Sequence, residues 1–214
     1  AQVLVVGAGV AGLQALATAK RLGAVTFAAD IRPDACEQAK SVGAKVVELG
    51  VPSELAIGEG GYARRLPDEW LEREQHALAE AVSKSAIVIL AALVPGKRAP
   101  VLITEEMVQS MQPGSVIVDI AIDQGGNCAL TEHGQIVRKH DVSIQGIQNL
   151  PGTVPTVATW LFANNICNFL AYLYSKGSLT LDRDDEIVKS ALVTYDGKIV
   201  HAGYLENVAE NKTE

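Results

Sequence analysis

The chain has 214 residues, of which 48% are hydrophobic and 20% are charged, and its formal net charge at pH 7 is −7. This length allows one sizeable core, or one domain with a portion of another. The composition is typical of a soluble globular protein. No uncharged apolar run reaches the roughly eighteen residues of a membrane span, and a negative charge without a basic stripe argues against nucleic-acid binding.

The N-terminal stretch predicts a strand, a glycine-rich turn and a helix. Residues 3–6 are apolar, as in a buried parallel strand, and residues 13–22 are nearly all strong helix formers. In such a turn Gly7 allows the bend, Gly9 lets the backbone approach a pyrophosphate, and Gly12 lets the helix pack closely on the strand. We interpret the turn as a dinucleotide-binding motif, against the alternative of an ordinary glycine-rich turn; its residues are Gly7, Ala8, Gly9, Val10, Ala11 and Gly12.

A second predicted strand, 25–29, ends at Asp30, 18 residues after Gly12. This spacing is close to that at which a carboxylate binds the adenosine ribose hydroxyls of a dinucleotide. Arg32 offers an alternative, because an arginine at this position can pair with the 2′-phosphate of NADP. Since the carboxylate of Asp30 would repel that phosphate, the sequence favours NAD as the cofactor.

An irregular segment, 50–66, follows a predicted helix, 35–42, and a predicted strand, 45–49. It shows neither helical nor strand periodicity and is longer than most connections. Its one aromatic residue, Tyr62, follows two glycines. Two interpretations stay open, a loop that folds over a bound ligand and a mobile insertion with an exposed tyrosine.

The next predicted pair is a helix, 67–83, and a strand, 86–91. In a doubly wound sheet this strand lies beside the first one, across the topological switch point, so the loop after it lines the cofactor crevice. Candidate neighbours of the nicotinamide half are therefore Ala92, Leu93 and Val94.

The fifth predicted strand, 115–119, leads to Asp123 and a glycine pair. Enzymes with open α/β sheets place ligand-handling groups just beyond the carboxyl ends of their strands. Asp123 is therefore a candidate general acid or base, or else it caps the turn. Two short strands, 135–138 and 142–145, are predicted to follow.

The C-terminal region differs from the rest. A helix, 155–174, carries an apolar stripe that predicts packing, and residues 192–201 predict a hairpin around Asp196-Gly197 that needs a partner sheet. The fold class is thus α/β, a doubly wound parallel Rossmann sheet over 1–154, followed by the helix and hairpin of an incomplete second subdomain over 155–214. The scattered histidines and cysteines and the charge run 182–186 predict no metal site.

Several stretches together resemble the alanine dehydrogenase/transhydrogenase family. Within this family they resemble proton-translocating nicotinamide nucleotide transhydrogenase, and in particular its domain I, the NAD(H)-binding part of the alpha subunit. The resemblance covers nearly the whole chain. The stretches are 9–15, 60–63, 92–97, 111–115, 125–128 and 196–200.

The resemblance implies that the domain binds NADH and passes its hydride directly to NADP⁺ on a separate domain III, while a membrane domain moves protons. It also implies a homodimer on the cytoplasmic or matrix face of an energy-transducing membrane. Direct hydride transfer requires no protein acid or base, only orientation and exclusion of water. The residues that the resemblance assigns to NAD(H) are Gly61 and Tyr62 in a closing loop, Val10 to Gly12 at the diphosphate, Asp30, Ile31 and Arg32 at the ribose, and Gln75 and Leu93 as further contacts.

The chain departs from this family pattern in two ways. The long N-terminal segment that precedes the glycine motif in the family is absent, so we expect a fragment or one chain of a split protein. Residues 121–126 and 149–152 look more like alanine dehydrogenase, in which the aspartate matching Asp123 is catalytic. Two alternatives therefore remain, an NAD-dependent amino-acid dehydrogenase and an NAD-binding fragment without turnover.

Overall fold

The first seven strands of the chain form one sheet in a computed structural model, which describes residues 1–58, 63–94, 96–174 and 177–201. Their order is β3-β2-β1-β4-β5-β7-β6, and all neighbours are parallel except the antiparallel pair β6 and β7. This arrangement confirms the predicted doubly wound sheet. The strands are β1 (Gln2–Val6), β2 (Val25–Ala29), β3 (Lys45–Val46), β4 (Ile87–Leu90), β5 (Val116–Asp119), β6 (Ile136–Lys139) and β7 (Val142–Gln145).

Helices connect the strands, and those that come before residue 150 in the chain pack on both faces of the sheet. The helices are α1 (Val10–Arg21), α2 (Pro33–Ser41), α3 (Ser53–Ala56), α4 (Asp68–Ser83), α5 (Glu105–Gln109), α6 (Leu150–Thr153), α7 (Pro155–Leu173) and α8 (Glu186–Ala191), with a 3-10 helix over Ile120–Gln124. Several bounds differ from the predicted ones. The third strand is shorter than predicted, and a one-turn helix forms at 150–153, where the sequence predicted a turn.

The central strand β1 divides the core into two clusters. Alternate residues of a strand point to opposite faces, so Leu4 and Val6 join one cluster while Val3 and Val5 join the other. The first cluster includes Leu78 and Val82 of α4, and the second includes Leu16 of α1 with alanines of α2. Because both faces of β1 are buried, its uninterrupted apolar run is what a central parallel strand requires.

The chain divides into two compact units, Ala1–Leu150 and a second that begins at Pro151. The predicted division lies a few residues later, at 154/155. In the second unit, the predicted hairpin is present as β8 (Thr194–Tyr195) and β9 (Lys198–Ile199). Asp196 and Gly197 between them both have positive φ, the geometry that favours a tight two-residue hairpin turn.

The apolar stripe of α7, which the sequence predicted to be packed, is largely exposed. Leu173 is the buried residue of this helix, whereas Trp160 and Phe162 are 65% and 67% exposed. Within the part of the chain that the structure describes, most of this helix is therefore unpacked, and its packing stays a prediction. The described residues of the second unit offer one short helix and two-residue strands, which present too little surface to cover a helix of 19 residues.

Candidate functional site

The turn between β1 and α1 is so close-packed that two of its glycines have no room for a side chain. Gly7 has a φ of +92° and donates its N–H to the carbonyl of Ala29 at 2.8 Å. A Cβ on Gly7 would lie 2.5 Å from the backbone of Ala91, and one on Gly12 would lie 2.0 Å from the carbonyl oxygen of Gly7. The turn therefore fixes α1 against the carboxyl ends of the neighbouring strands.

Gly9 differs from these two glycines, because its side-chain position faces open space. A Cβ built there meets no atom within 4 Å. Gly9 is the N-cap of α1, its carbonyl accepts the N–H of Leu13 at 2.8 Å, and no side chain caps the helix. The first turn contains no acidic residue, so its unpaired N–H groups and the positive end of the helix dipole form a surface suited to an anionic group.

The carboxylate of Asp30 lies beside this turn and accepts four hydrogen bonds. The N–H of Ala8 donates to it at 2.8 Å, and the backbone N–H of Arg32 donates at 2.9 Å. The guanidinium of Arg32 adds two more, from Nε at 3.0 Å and from Nη2 at 2.9 Å. These hydrogen bonds raise the pKa of Arg32 above its ordinary value. Asp30 therefore links the glycine turn to the end of β2, and Arg32 covers it with two donors.

A cleft of about 840 Å³ runs along the carboxyl ends of β1, β2 and β4. Pockets of this size are typical of sites that bury a small molecule or a cofactor. Eleven of the residues predicted for the cofactor lie along the cleft: Gly7, Gly9, Val10, Ala11, Gly12, Asp30, Ile31, Arg32, Ala92, Leu93 and Val94. The predicted roles of Gly61 and Tyr62 fall outside the residues that the structure describes.

The loop after β4 is held in place by Asn127, which is fully buried. The side-chain oxygen of Asn127 accepts the N–H of Ala92 at 3.0 Å, and its side-chain nitrogen donates to the carbonyls of Ala92 and Pro100 at 2.9 and 2.8 Å. Asp119, at the end of β5, holds Asn127 in turn by accepting its backbone N–H at 2.9 Å. This network fixes one wall of the cleft from behind.

The carboxylate of Asp123 is hydrogen-bonded to the backbone of Asn149. Its two carboxylate oxygens accept the N–H of Asn149 at 3.1 and 3.0 Å, just before α6. This contact joins residues that are 26 positions apart, so it differs from the cap of the local turn that was the alternative to an acid or base role. Its neighbour Gln124, rather than Asp123 itself, is among the residues along the cleft. A catalytic role for Asp123 stays a prediction.

Gln75 and Glu74 are adjacent on α4, but Gln75 binds a backbone carbonyl whereas Glu74 lines the cleft. Gln75 donates its side-chain amide to the carbonyl of Val101 at 2.8 Å, and its contact with a nucleotide stays a prediction. Glu74 lines the cleft and is 6% exposed, although the sequence prediction did not include it. Burial raises the pKa of Glu74 to about 7, and the negative charge of Asp30 contributes to the rise. Helical spacing would have identified it, since Glu74 lies three residues after Leu71 and four before Leu78 on the apolar face.

A metal centre has no support among the residues that the structure describes. Within them, no group of three or more histidine, cysteine, aspartate or glutamate side chains is placed to hold an ion. The polar groups along the cleft are instead backbone N–H groups, carboxylates and guanidinium groups, which suit a ligand with phosphate and hydroxyl groups.

Comparison with known proteins places this arrangement in a family. Residues 1–202 match the family described as alanine dehydrogenase/PNT, C-terminal domain. The chain is 39% identical over 217 residues to NAD(P) transhydrogenase subunit alpha of Haemophilus influenzae, a match that covers 100% of this chain and 42% of that protein. Its identity to the corresponding alpha-subunit chain of the Rhodospirillum rubrum NAD(P) transhydrogenase is 49% over 204 residues, with 94% of this chain and 53% of that one covered. It is 31% identical over 205 residues to alanine dehydrogenase of Bacillus subtilis, with 94% of this chain and 49% of that protein covered.

Solved structures give the same two groups of relatives. The transhydrogenase from Sinorhizobium meliloti matches with a TM-score of 0.70 at 38% identity, over 95% of this chain and 50% of that one. An L-alanine dehydrogenase matches with a TM-score of 0.69 at 27% identity, over 98% of this chain and 53% of that one. The chain thus spans about half the length of the relatives that it matches.

Proposed function

Since this chain belongs to the alanine dehydrogenase/PNT family, whose C-terminal domain its residues 1–202 match, we propose that it is the NAD(H)-binding module of a transhydrogenase. The module presents NADH for direct hydride transfer to NADP⁺ on a partner domain. The observation that carries the proposal is the open position at Gly9, where the first turn of α1 meets the cleft beside Asp30.

The diphosphate of the nucleotide would lie against this turn. The backbone at Gly9 leaves room for the phosphate oxygens, while the N–H groups of Val10 to Gly12 are the donors at the start of α1. The absence of an acidic side chain in the first turn of this helix avoids repulsion of the phosphates. The residues present therefore fit a dinucleotide.

The adenosine ribose would lie at Asp30, and the same residue favours NAD over NADP. Arg32, the cation beside Asp30, uses both its Nε and its Nη2 to bind that carboxylate. A 2′-phosphate would have to draw Arg32 away and then face the unpaired charge of Asp30 in a site where that carboxylate is 5% exposed. A ribose hydroxyl carries no charge, so it would replace one donor of Arg32 while the ion pair between Arg32 and Asp30 persists.

The bound nucleotide supplies the chemistry, since NADH gives up a hydride with its electron pair and a nicotinamide ring on the partner accepts it. No proton moves at the reacting carbons, so the residues of this chain orient the ring and exclude water. Ala92, Leu93 and Val94 are suited to this task because their side chains are apolar and Asn127 holds their loop.

The partners follow from the same family resemblance. We propose an NADP-binding domain III and a membrane domain as partners, and a homodimer on the cytoplasmic or matrix face of an energy-transducing membrane. Among the described residues of this chain, none of the helices combines the length and apolar character needed to cross a membrane.

A second candidate function is an amino-acid dehydrogenase, favoured by the 31% identity to alanine dehydrogenase. In that case Asp123 would have to release the N–H of Asn149 in order to act as an acid or base. The higher identity to transhydrogenase and the absence of Asp123 from the residues along the cleft favour the first candidate.

Calorimetric titration with NADH and, separately, NADPH tests the proposal. We expect binding of NADH and much weaker binding of NADPH. Adding an NADP-binding domain III with NADP⁺ should then give oxidation of NADH, whereas pyruvate with ammonia should not. Binding of NADH without either reaction would favour a binding module without turnover, and the amination of pyruvate would favour the second candidate.

A further inference from the structure

Arg98 lies in the loop after β4, and its side chain packs against the backbone of Gly125. Gly125 ends the 3-10 helix that follows β5 and has a φ of +106°. A Cβ built on this glycine would lie 2.8 Å from both Cγ and Nε of Arg98. Any other residue at position 125 would therefore displace the side chain of Arg98, so the glycine gives this arginine its place.

The backbone beside Arg98 is anchored to the connection that follows β5. The N–H of Ala99 donates to the carbonyl of Gln124 at 2.8 Å, and the carbonyl of Pro100 accepts from the side-chain amide of Asn127 at 2.8 Å. Arg98 and Gln124 both line the cleft. Because these bonds hold its backbone, Arg98 presents a positive charge at a defined part of the cleft.

No carboxylate forms an ion pair with Arg98 in the part of the chain that the structure describes. The carboxylates at and after the end of β5 have other donors. Asp119 is buried and accepts the N–H groups of residues 127 and 128, and Asp123 accepts the N–H of Asn149. Along the cleft, Asp30 is already paired with Arg32. The charge of Arg98 is therefore available to a bound ligand.

The order of the strands places Arg98 and Asp30 on opposite sides of β1. This strand is flanked by β2 on one side and by β4 on the other, with β5 beyond β4. Asp30 follows β2, whereas Arg98 follows β4 and packs on a residue that follows β5. A dinucleotide on a doubly wound sheet spans this switch point, with one nucleotide on each side. With the adenosine ribose at Asp30, as proposed above, Arg98 faces the nicotinamide half.

We propose that Arg98 determines which redox state of the nucleotide the cleft prefers, by favouring the neutral nicotinamide ring of NADH over the positively charged ring of NAD⁺. This inference rests on the proposed function, since it requires that the cleft bind NAD(H). The two forms have the same diphosphate and riboses, so an interaction with those groups changes both affinities together. A guanidinium near the ring acts differently, because it repels only the oxidised ring.

The expected effect is modest, because water and salt screen an exposed charge. Arg98 should contribute about three- to tenfold to the ratio of the Kd for NAD⁺ to the Kd for NADH. A tenfold contribution raises the midpoint potential of the bound two-electron couple by about 30 mV. The same charge favours the departure of NAD⁺ once the hydride has passed to the acceptor.

Calorimetric titration of the purified chain with NADH and, separately, with NAD⁺ at low ionic strength tests the inference. Arg98→Met removes the charge and keeps an unbranched side chain, so the ratio of the two Kd values should fall about three- to tenfold, mainly through tighter binding of NAD⁺. Arg98→Lys keeps the charge and should retain most of the wild-type ratio. In about 1 M salt, where the Debye length is about 3 Å, the wild-type ratio should approach that of Arg98→Met.

Arg138→Met is the matched control, because Arg138 is an exposed arginine on β6 that is not among the residues along the cleft. It should leave both Kd values unchanged. An unchanged ratio in Arg98→Met would overturn the inference. Equal weakening of NADH and NAD⁺ in that variant would overturn it as well, since it would assign Arg98 to the diphosphate or the riboses. The proposed function would stand in both cases, whereas a wild-type chain that bound neither nucleotide would overturn the proposed function too.

Discussion

Asn127 and Ala92 lie 35 residues apart in the chain, yet they pair through two hydrogen bonds between the side-chain amide of one and the backbone of the other. A third bond, to the carbonyl of Pro100, attaches the same side chain to the far end of the loop after β4. A single asparagine therefore satisfies three backbone groups in the loop that borders the cleft. Few other side chains could replace it, because the arrangement needs one acceptor and two donors on a planar group.

Asn127→Ala should destabilise the protein by about 2–3 kcal/mol, because it leaves these backbone groups without partners. Urea denaturation measures the loss. Gln109→Ala, at an exposed position of α5, is the control and should change stability by less than about 0.5 kcal/mol. Equal stabilities for the two variants would mean that water replaces the amide of Asn127 without cost.

Gly9 and Gly12 give a pair of variants that separates folding from binding. Gly9→Ala adds a methyl group to open space at an ordinary φ of −75°, so stability should change by less than about 0.5 kcal/mol. That methyl group would occupy the place proposed for the diphosphate, and the affinity for NADH should fall at least about tenfold, or about 1.4 kcal/mol. Gly12→Ala, whose Cβ would meet a carbonyl oxygen, should cost about 3 kcal/mol of stability.

Thermal unfolding and NADH titration of both glycine variants provide the measurement. The expected pattern is a stable protein with weak binding for Gly9→Ala and an unstable protein for Gly12→Ala. Wild-type affinity in Gly9→Ala would place the nucleotide elsewhere in the cleft.

The strand, turn and helix at the N-terminus could be predicted from the sequence because local patterns determine them. An apolar run of strand length, three spaced glycines and a row of helix formers each limit the backbone without reference to the rest of the chain. Asp30 could be predicted as well, since the length of one helix places the end of β2 beside the turn. These are the elements in which sequence spacing and spatial position agree.

Contacts between distant residues could not be predicted in this way. Nothing in the local pattern indicates that Asn127 binds the loop after β4, or that Arg32 directs two donors back onto Asp30. The packing of α7 also could not be predicted, because an apolar stripe indicates that a helix can be buried and does not identify what covers it. Glu74 is an intermediate case. Helical spacing identifies it when an acidic residue on the apolar face of the helix is treated as a departure from the pattern.

Asp30→Asn should weaken NADH binding by about 1.5–3 kcal/mol, the range for a hydrogen bond to a charged group. The same change releases the guanidinium of Arg32 from its carboxylate partner, so the preference for NADH over NADPH should fall. Calorimetry with both nucleotides measures the two effects. Asp34→Asn, at an exposed site on α2, should change neither value. An unaltered preference in Asp30→Asn would assign the selection against the 2′-phosphate to other residues.

The raised pKa of Glu74 also predicts how stability depends on pH in the protein without nucleotide. Folding raises this pKa from 4.5 to about 7, so the folded protein binds more protons than the unfolded chain between these two values. The contribution of Glu74 to the free energy of unfolding should therefore be greatest below about pH 4.5 and should be lost as the pH rises to about 7. The full difference corresponds to about 3 kcal/mol.

Glu74→Gln removes this contribution, because a side chain that cannot ionise carries no charge into the folded state. The variant should therefore be more stable than the wild type at pH 8, by up to about 3 kcal/mol, and the two should converge as the pH falls to about 4.5. Urea denaturation at a series of pH values measures the difference, with Glu72→Gln, which changes an exposed acid of the same helix, expected to follow the wild type throughout. A constant gap between Glu74→Gln and the wild type from pH 5 to 8 would show that Glu74 is ionised in the folded protein over that whole range, with donors that compensate its burial.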